Sequence, residues 1–302
     1  MQNCYPIENT SNKNKNRLKG HYMDPNYWKD FDKTVENFKN TMITKIENKE
    51  KYSVLRVGHS ELSAFYKAVG SEITAGIFLG RQSNHDTIED DTIIKMFDSL
   101  NSSDIVCGQF DSAPLIRAIK AYLEFYNNLE DKYDILQKKH ECLNFAEIYP
   151  ITDHKYLTSL PCDIIYGLLS NKWIFKTFKN RIGLIGSFKK LNIIKHLMTY
   201  KEYQDYLHTD YFTDYIGVKE RAALDDEELE NKVISGIERS SCDLFLIGCG
   251  VSKLKFYHLL KDIDKKCFYL DVGNGIDMIA GVGDSRRPYC GEWVITGQQR
   301  QN

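Results

Sequence analysis

Residues 243–277 read DLFLIGCGVSKLKFYHLLKDIDKKCFYLDVGNGID, and the order of elements in this stretch decides the fold. An apolar run, Leu244–Ile247, enters a glycine turn at Gly248 and Gly250. Leu254, Tyr257, His258 and Leu260 follow at helical spacing, and a second apolar run, Phe268–Leu270, ends on Asp271. Strand, tight turn, helix, strand and acid make one βαβ unit. The glycines let backbone N–H groups come close to a ligand, and a helix N-terminus behind them favours an anion. An acid at the tip of the next strand suits a ribose. The stretch therefore predicts a ligand with a phosphate and a sugar: a dinucleotide, a methyl donor or a nucleotide sugar.

Outward from this unit the same alternation continues. Trp28, Phe31, Val35, Phe38, Met42 and Ile46 step by threes and fours, which predicts an amphipathic helix from Tyr27 to about Glu50. YSVLRV, residues 52–57, reads as a buried strand, followed by a turn at Gly58 and a helix carrying Leu62 and Phe65. Further helices are predicted from Asp86 to about Leu100, and over Ala113–Tyr126, Asp163–Lys176, Leu191–Leu197 and Asp225–Arg239. Strands are predicted at Ile105–Cys107, Arg181–Ile185 and Tyr215–Val218. Residues 1–24 are polar and read as a mobile arm, leaving 25–302 as one α/β domain. The predicted architecture is Rossmann-like, a largely parallel sheet flanked by helices.

Composition narrows the function classes. There are 40 Lys and Arg against 42 Asp and Glu, a net charge of −2, so no basic excess points to nucleic acid. No secretory signal and no run long enough to span a membrane is read in the chain. The eight cysteines form no C-x-x-C pair and most lie in or beside apolar runs, which predicts buried reduced thiols and a cytoplasmic setting.

In parallel sheets ligands sit at the carboxyl ends of the strands. Three loops share one plan of apolar strand, small turn and helix: Arg56–Glu61, Gly186–Lys190 and Gly248–Lys253. Parallel strands bring them to one edge. For a dinucleotide, Gly248-x-Gly250 is followed by Lys253 where G-x-G-x-x-G has its third glycine, although Asp271 lies 21 residues past Gly250 and suits the ribose acid. For a methyl donor, LFLIGCG fits only superficially. Only 54 residues follow Gly248, which is too few for the strands that either fold adds after its first unit. Arg56 interrupts an apolar strand and so needs a carboxylate or phosphate partner. His59 and Glu61 flank Ser60 and can offer one nitrogen and one oxygen to a divalent cation. Two structural roles compete: Glu61 as a helix cap, and Arg56 paired with Glu61.

Taken together, the blocks resemble the GT-D-fold glycosyltransferases. The first motif stands as Arg56-Val57-Gly58-His59-Ser60-Glu61, where bacterial members carry R-[FIY]-G-D-G-E. The middle strand has Ile185-Gly186-Ser187, and the C-terminal block stands as Leu246-Ile247-Gly248-Cys249-Gly250 with Asp271-Val272-Gly273. The resemblance spans about residues 50–295. It implies transfer of a sugar from a nucleotide diphosphate sugar, commonly a UDP-sugar, to a glycan or other hydroxyl acceptor. It also implies a D-x-E motif beside donor and metal, Mn2+ or Mg2+. Glu61 carries over as the motif glutamate. His59 replaces the aspartate and brings no negative charge.

On this reading the donor pyrophosphate lies over the Gly248–Ser252 turn. Asp271 or Asn274 holds ribose or base, and Glu61, with or without His59, sits at the sugar–phosphate junction. Gly58, Gly186 and Ser187 shape the loops. Without a metal, Arg56, Lys189, Arg286 or Arg287 stabilises the leaving diphosphate. Asp277, Asp111 and Glu61 are candidate bases, and an N-cap is the structural role for Asp277. Trp293 and Tyr289 can stack on a sugar ring. Glu61→Gln is expected to abolish transfer with little change in melting temperature. The remaining alternatives are an NAD-dependent oxidoreductase, an S-adenosylmethionine-dependent methyltransferase, or a sugar-nucleotide-binding module without turnover.

Overall fold

The computed structural model of the protein describes residues 31–57, 61, 90–108, 162–219 and 227–281. Gly58, His59, Asp111, Arg286, Arg287, Tyr289 and Trp293 lie outside the described residues, as do the predicted helices at Leu62 and at Ala113–Tyr126 and the polar arm.

Six strands form one sheet: β1 (Tyr52–Val57), β2 (Ile105–Gly108), β3 (Ile182–Ser187), β4 (Asp214–Val218), β5 (Leu244–Gly248) and β6 (Phe268–Asp271). Their order is β2-β1-β6-β5-β3-β4, and every pair is parallel. The architecture is therefore α/β and Rossmann-like. The central strands are buried on both faces, which is why they read as unbroken apolar runs and not as alternating ones.

Alternate residues feed two separate cores. Val54, Leu184, Leu246 and Leu270 face α1 (Phe31–Glu47), α3 (Cys162–Ser170), α4 (Trp173–Thr177), α5 (Phe188–Leu197), α6 (Lys201–Leu207) and α8 (Gly275–Ile279). Leu55, Ile185, Ile247 and Tyr269 face α2 (Asp90–Ser102), α7 (Leu229–Arg239) and the segment between β5 and β6. The stripe Val35, Phe38, Met42 and Ile46 is buried as its spacing predicts.

Two predicted helices change form. The helix expected over Asp163–Lys176 breaks into α3 and α4, because Lys172 turns left-handed and the Asn171 side chain accepts from Trp173 N at 3.0 Å. The helix expected after the Gly248 turn is instead two short 3-10 segments, Gly250–Lys255 and Tyr257–Lys261. The cause lies in α2. Ser99 Oγ donates to Leu254 O at 2.7 Å and accepts from His258 N at 3.0 Å. Those two backbone groups would bond each other in an α-helix, so the buried hydroxyl is inserted into the ladder and interrupts it.

Cys107, Cys242 and Cys267 are buried and free, and Cys249 is half-buried and free. Among the described residues no helix is long and apolar enough to cross a membrane.

Candidate functional site

Because all six strands run the same way, the loops after β1, β3, β5 and β6 open on one edge of the sheet, as the sequence predicts. At that edge Arg56, Glu61, Lys253 and Asp271 come together with relative exposures of 4, 1, 0 and 0%.

Lys253 is the hub. Its Nζ lies 2.9 Å from Glu61 Oε1 and 2.5 Å from Asp271 Oδ2. Asp271 Oδ2 also accepts from Arg56 N at 2.8 Å, and Asp271 Oδ1 accepts from Gly273 N at 2.9 Å. The geometry follows from the strands. β6 pairs with β1 only as far as Val54↔Leu270, and then Val272 and Gly273 turn their N–H groups to Ile247 O. The Arg56 amide loses its strand partner there, and the Asp271 carboxylate replaces it.

The Arg56 side chain leaves on the opposite face of β1 from Leu55 and Val57, as its register requires. Its guanidinium carbon stands 5.6 Å from the Tyr166 ring centre, on α3, where the positive charge meets the π face. A Cβ on Gly273 would lie 2.7 Å from that guanidinium, and Gly273 has φ +48. Close approach and left-handed backbone both require glycine here.

Electrostatics fix the charge states. Burial alone would push the Glu61 carboxyl up, but the Lys253 ammonium and the Arg56 guanidinium outweigh it and hold the group at about 2. Burial alone would likewise push Lys253 down, and Asp271 and Glu61 outweigh it and raise it above the usual lysine range. Glu61 and Lys253 thus stay ionised together, each holding the other's charge. Burial pushes the Cys249 thiol, next to the turn, up to about 12, so it is no thiolate.

The other predicted site residues fall into two groups. Gly186 and Gly248 are register partners at the ends of β3 and β5, whose onward connections run to opposite sides of the sheet. That is the crevice where such sheets bind ligands. Here Ile276 of α8 occupies it. A Cβ on Gly248 would meet Gly273 O and Ile276 Cγ1 at 2.4 Å, and one on Gly186 would meet Ile276 Cγ2 at 3.2 Å. These glycines admit α8, and not a ligand as the sequence suggested. Ser187 caps α5, its side chain accepting from Lys190 N at 3.4 Å, and Lys189 is exposed. Gly250, at φ +59, has open space around it, Ser252 is buried and Asn274 is half-buried. Asp277 is not the N-cap but the third residue of α8, and it pairs with Lys190.

Three sequence expectations are corrected here. The pyrophosphate has no α-helix N-terminus behind the Gly248 turn, because Ser99 breaks that helix. Asp271 does not project toward a ribose: it is fully buried and both its oxygens are engaged within the chain. Glu61, expected from sequence to be replaceable by Gln with little change in melting temperature, is buried against the Lys253 ammonium, so its removal is expected to cost stability. The first two corrections also remove the features that favoured a dinucleotide.

A divalent cation does not fit this arrangement. Glu61 offers Oε1 to an ammonium 2.9 Å away, and a second positive centre there would meet that charge at close range. Lys253 is the residue that sequence reasoning missed. Its only signal was negative, a lysine in place of the third glycine of a familiar pattern. No protein-family model matches the chain, and neither does any curated protein or solved structure.

Proposed function

We propose that the protein is a glycosyltransferase with the GT-D arrangement, moving a sugar from a nucleotide diphosphate sugar, a UDP-sugar by preference, to a hydroxyl of a glycan. One observation carries this reading: Arg56, Glu61 and the turn after β5 share one charged cluster at the carboxyl edge of an all-parallel sheet. That is where such sheets bind nucleotides, and the three blocks that define the resemblance are the ones that meet there.

The donor lies above the cluster, against the open side of Gly250 and the segment Gly273–Asn274. In the transfer, the bond between the anomeric carbon and the diphosphate oxygen breaks, and its electron pair leaves on that oxygen. The acceptor oxygen bonds to the same carbon, and its proton passes to a carboxylate. The developing negative charge is met by the exposed Lys189. Glu61, held at about 2, is too weak a base to take the proton near neutrality. Its role is to hold Lys253. Asp277, on α8 beside Lys190 and partly open to solvent, is the candidate that can reach an acceptor. His59, Arg287 and Trp293 add to the site through the resemblance alone.

Full burial of the four charged groups favours a second reading, a sugar-nucleotide-binding module without turnover. A panel of nucleotide diphosphate sugars, followed by release of the nucleotide diphosphate with and without a glycan acceptor, separates the two. The proposal expects turnover with one donor and a loss of about 10²-fold or more in Asp277→Asn. Binding without release supports the module. Stabilisation by NAD or S-adenosylmethionine, with no effect of any sugar nucleotide, overturns both.

A further inference from the structure

We infer that Lys253 is the resident cation of this site: its ammonium occupies the position between Glu61 and Asp271 that a divalent metal would take, and the protein needs no metal there. The inference concerns the site of the proposed function and answers its metal requirement, but it is tested by binding and not by turnover, so the two can fail separately.

The argument is geometric. One nitrogen bridges two carboxylates from different elements, at 2.9 and 2.5 Å. Two carboxylate oxygens placed on either side of one point can also receive a hard cation, at about 2.0–2.6 Å from the ion. An ammonium fills the same gap as a compact positive charge. It also satisfies the charge balance, since Glu61 and Asp271 are matched by Arg56 and Lys253. A metal added beside Lys253 would leave an excess of two positive charges in a fully buried place.

The position is also built and not accidental. Lys253 is fully buried, on a 3-10 segment that exists because Ser99 interrupts the α-helix. Asp271 is held from the other side by the amides of Arg56 and Gly273. The motif departure points the same way. Where the resemblance calls for an aspartate, His59 brings no negative charge, and a site whose cation is already covalently part of the chain has no use for one. A lysine cannot dissociate, so the positive charge is present whatever the metal supply.

Removing the ammonium should therefore create a metal site. Lys253→Ala leaves Glu61 and Asp271 facing each other, with Arg56 the other cation beside them among the described residues. Titration of Mn2+, with free ion followed by paramagnetic resonance, compares the wild-type chain, E61Q, K253A and the double variant K253A/E61Q. The wild type and E61Q should bind Mn2+ equally poorly. K253A should bind one equivalent about tenfold or more tighter than the wild type, gain thermal stability on adding Mn2+, and lose both properties in the double variant. A wild-type chain that binds Mn2+ more tightly than E61Q overturns the inference, as does a folded K253A that binds no better than the wild type. Should K253A fail to fold with or without Mn2+, the wild-type and E61Q arm decides alone.

Discussion

The two edges of the sheet carry ionic clusters of similar make-up and opposite burial. At the carboxyl edge, Lys253 bridges Glu61 and Asp271 in a place closed to water. At the amino edge, Asp243 bridges Lys49 at 2.6 Å and Arg181 at 2.7 Å, and Arg181 reaches Glu47 at 2.6 Å. Both clusters tie neighbouring strands together, with donor–acceptor distances in the same range. The amino-edge side chains are 16–60% exposed, so solvent and salt screen them. The carboxyl-edge groups are closed to water and pair across strands within the protein. An ion cluster that exposed would form in many sequences at little cost. A fully buried one is expensive unless every charge is matched, and a hydrophobic packing would hold the strands as well. Under the proposed function, such a cluster at the carboxyl edge belongs to the site.

The contrast can be broken at several points. Lys253→Met keeps the stem and drops the charge, leaving two buried carboxylates without the ammonium between them. It should cost about 3–5 kcal/mol in urea unfolding. A cost below about 1 kcal/mol would show that the buried cluster behaves like the surface one.

Acid should unfold the carboxyl edge in a defined window. Glu61 is held at about 2 against an ordinary 4.5. Its folded value is depressed, so its contribution is fully present above pH 4.5 and is lost as pH falls toward 2. The shift corresponds to about 3 kcal/mol. Wild-type unfolding free energy should fall across that window, and the fall should be smaller in Glu61→Gln. Equal slopes in the two proteins would contradict the assignment.

Gly273→Ala places a methyl against the Arg56 guanidinium in a left-handed backbone. It should cost about 1–3 kcal/mol. If Arg56 serves the site, donor affinity should fall with it, as isothermal titration would show.

The smallest effect belongs to the amino edge. Asp243→Ala should cost about 0–1 kcal/mol, shrinking further in 1 M salt. A larger loss that persists in salt would erase the distinction between the edges.

Much of this was legible in the sequence. Continuous apolar runs such as Leu244–Ile247, bounded by turn residues, read as strands buried on both faces, and a largely parallel sheet follows from their alternation with helices. Arg56 inside YSVLRV announced a buried charge partner, and the shared plan of three loops announced one edge. What stayed hidden depended on contacts distant in sequence. Nothing near Leu254 reveals that Ser99, on α2, will enter its hydrogen-bond ladder. Nothing near Gly248 reveals that Ile276 will fill the crevice above it. Lys253 looked like a failed glycine because its partners, Glu61 and Asp271, lie far off on either side of it in the chain. A local pattern shows that a charge is out of place, and only the fold shows what it is for.

The most direct measurement compares the two edges while a donor binds. Amide hydrogen exchange, with and without a nucleotide diphosphate sugar, should show protection at residues 248–255 and 271–277. Residues 47–52, 181–183 and 243–245 should remain unchanged. Protection confined to the amino edge, or none at any donor concentration, would contradict the claim that the buried Lys253 cluster marks the binding edge.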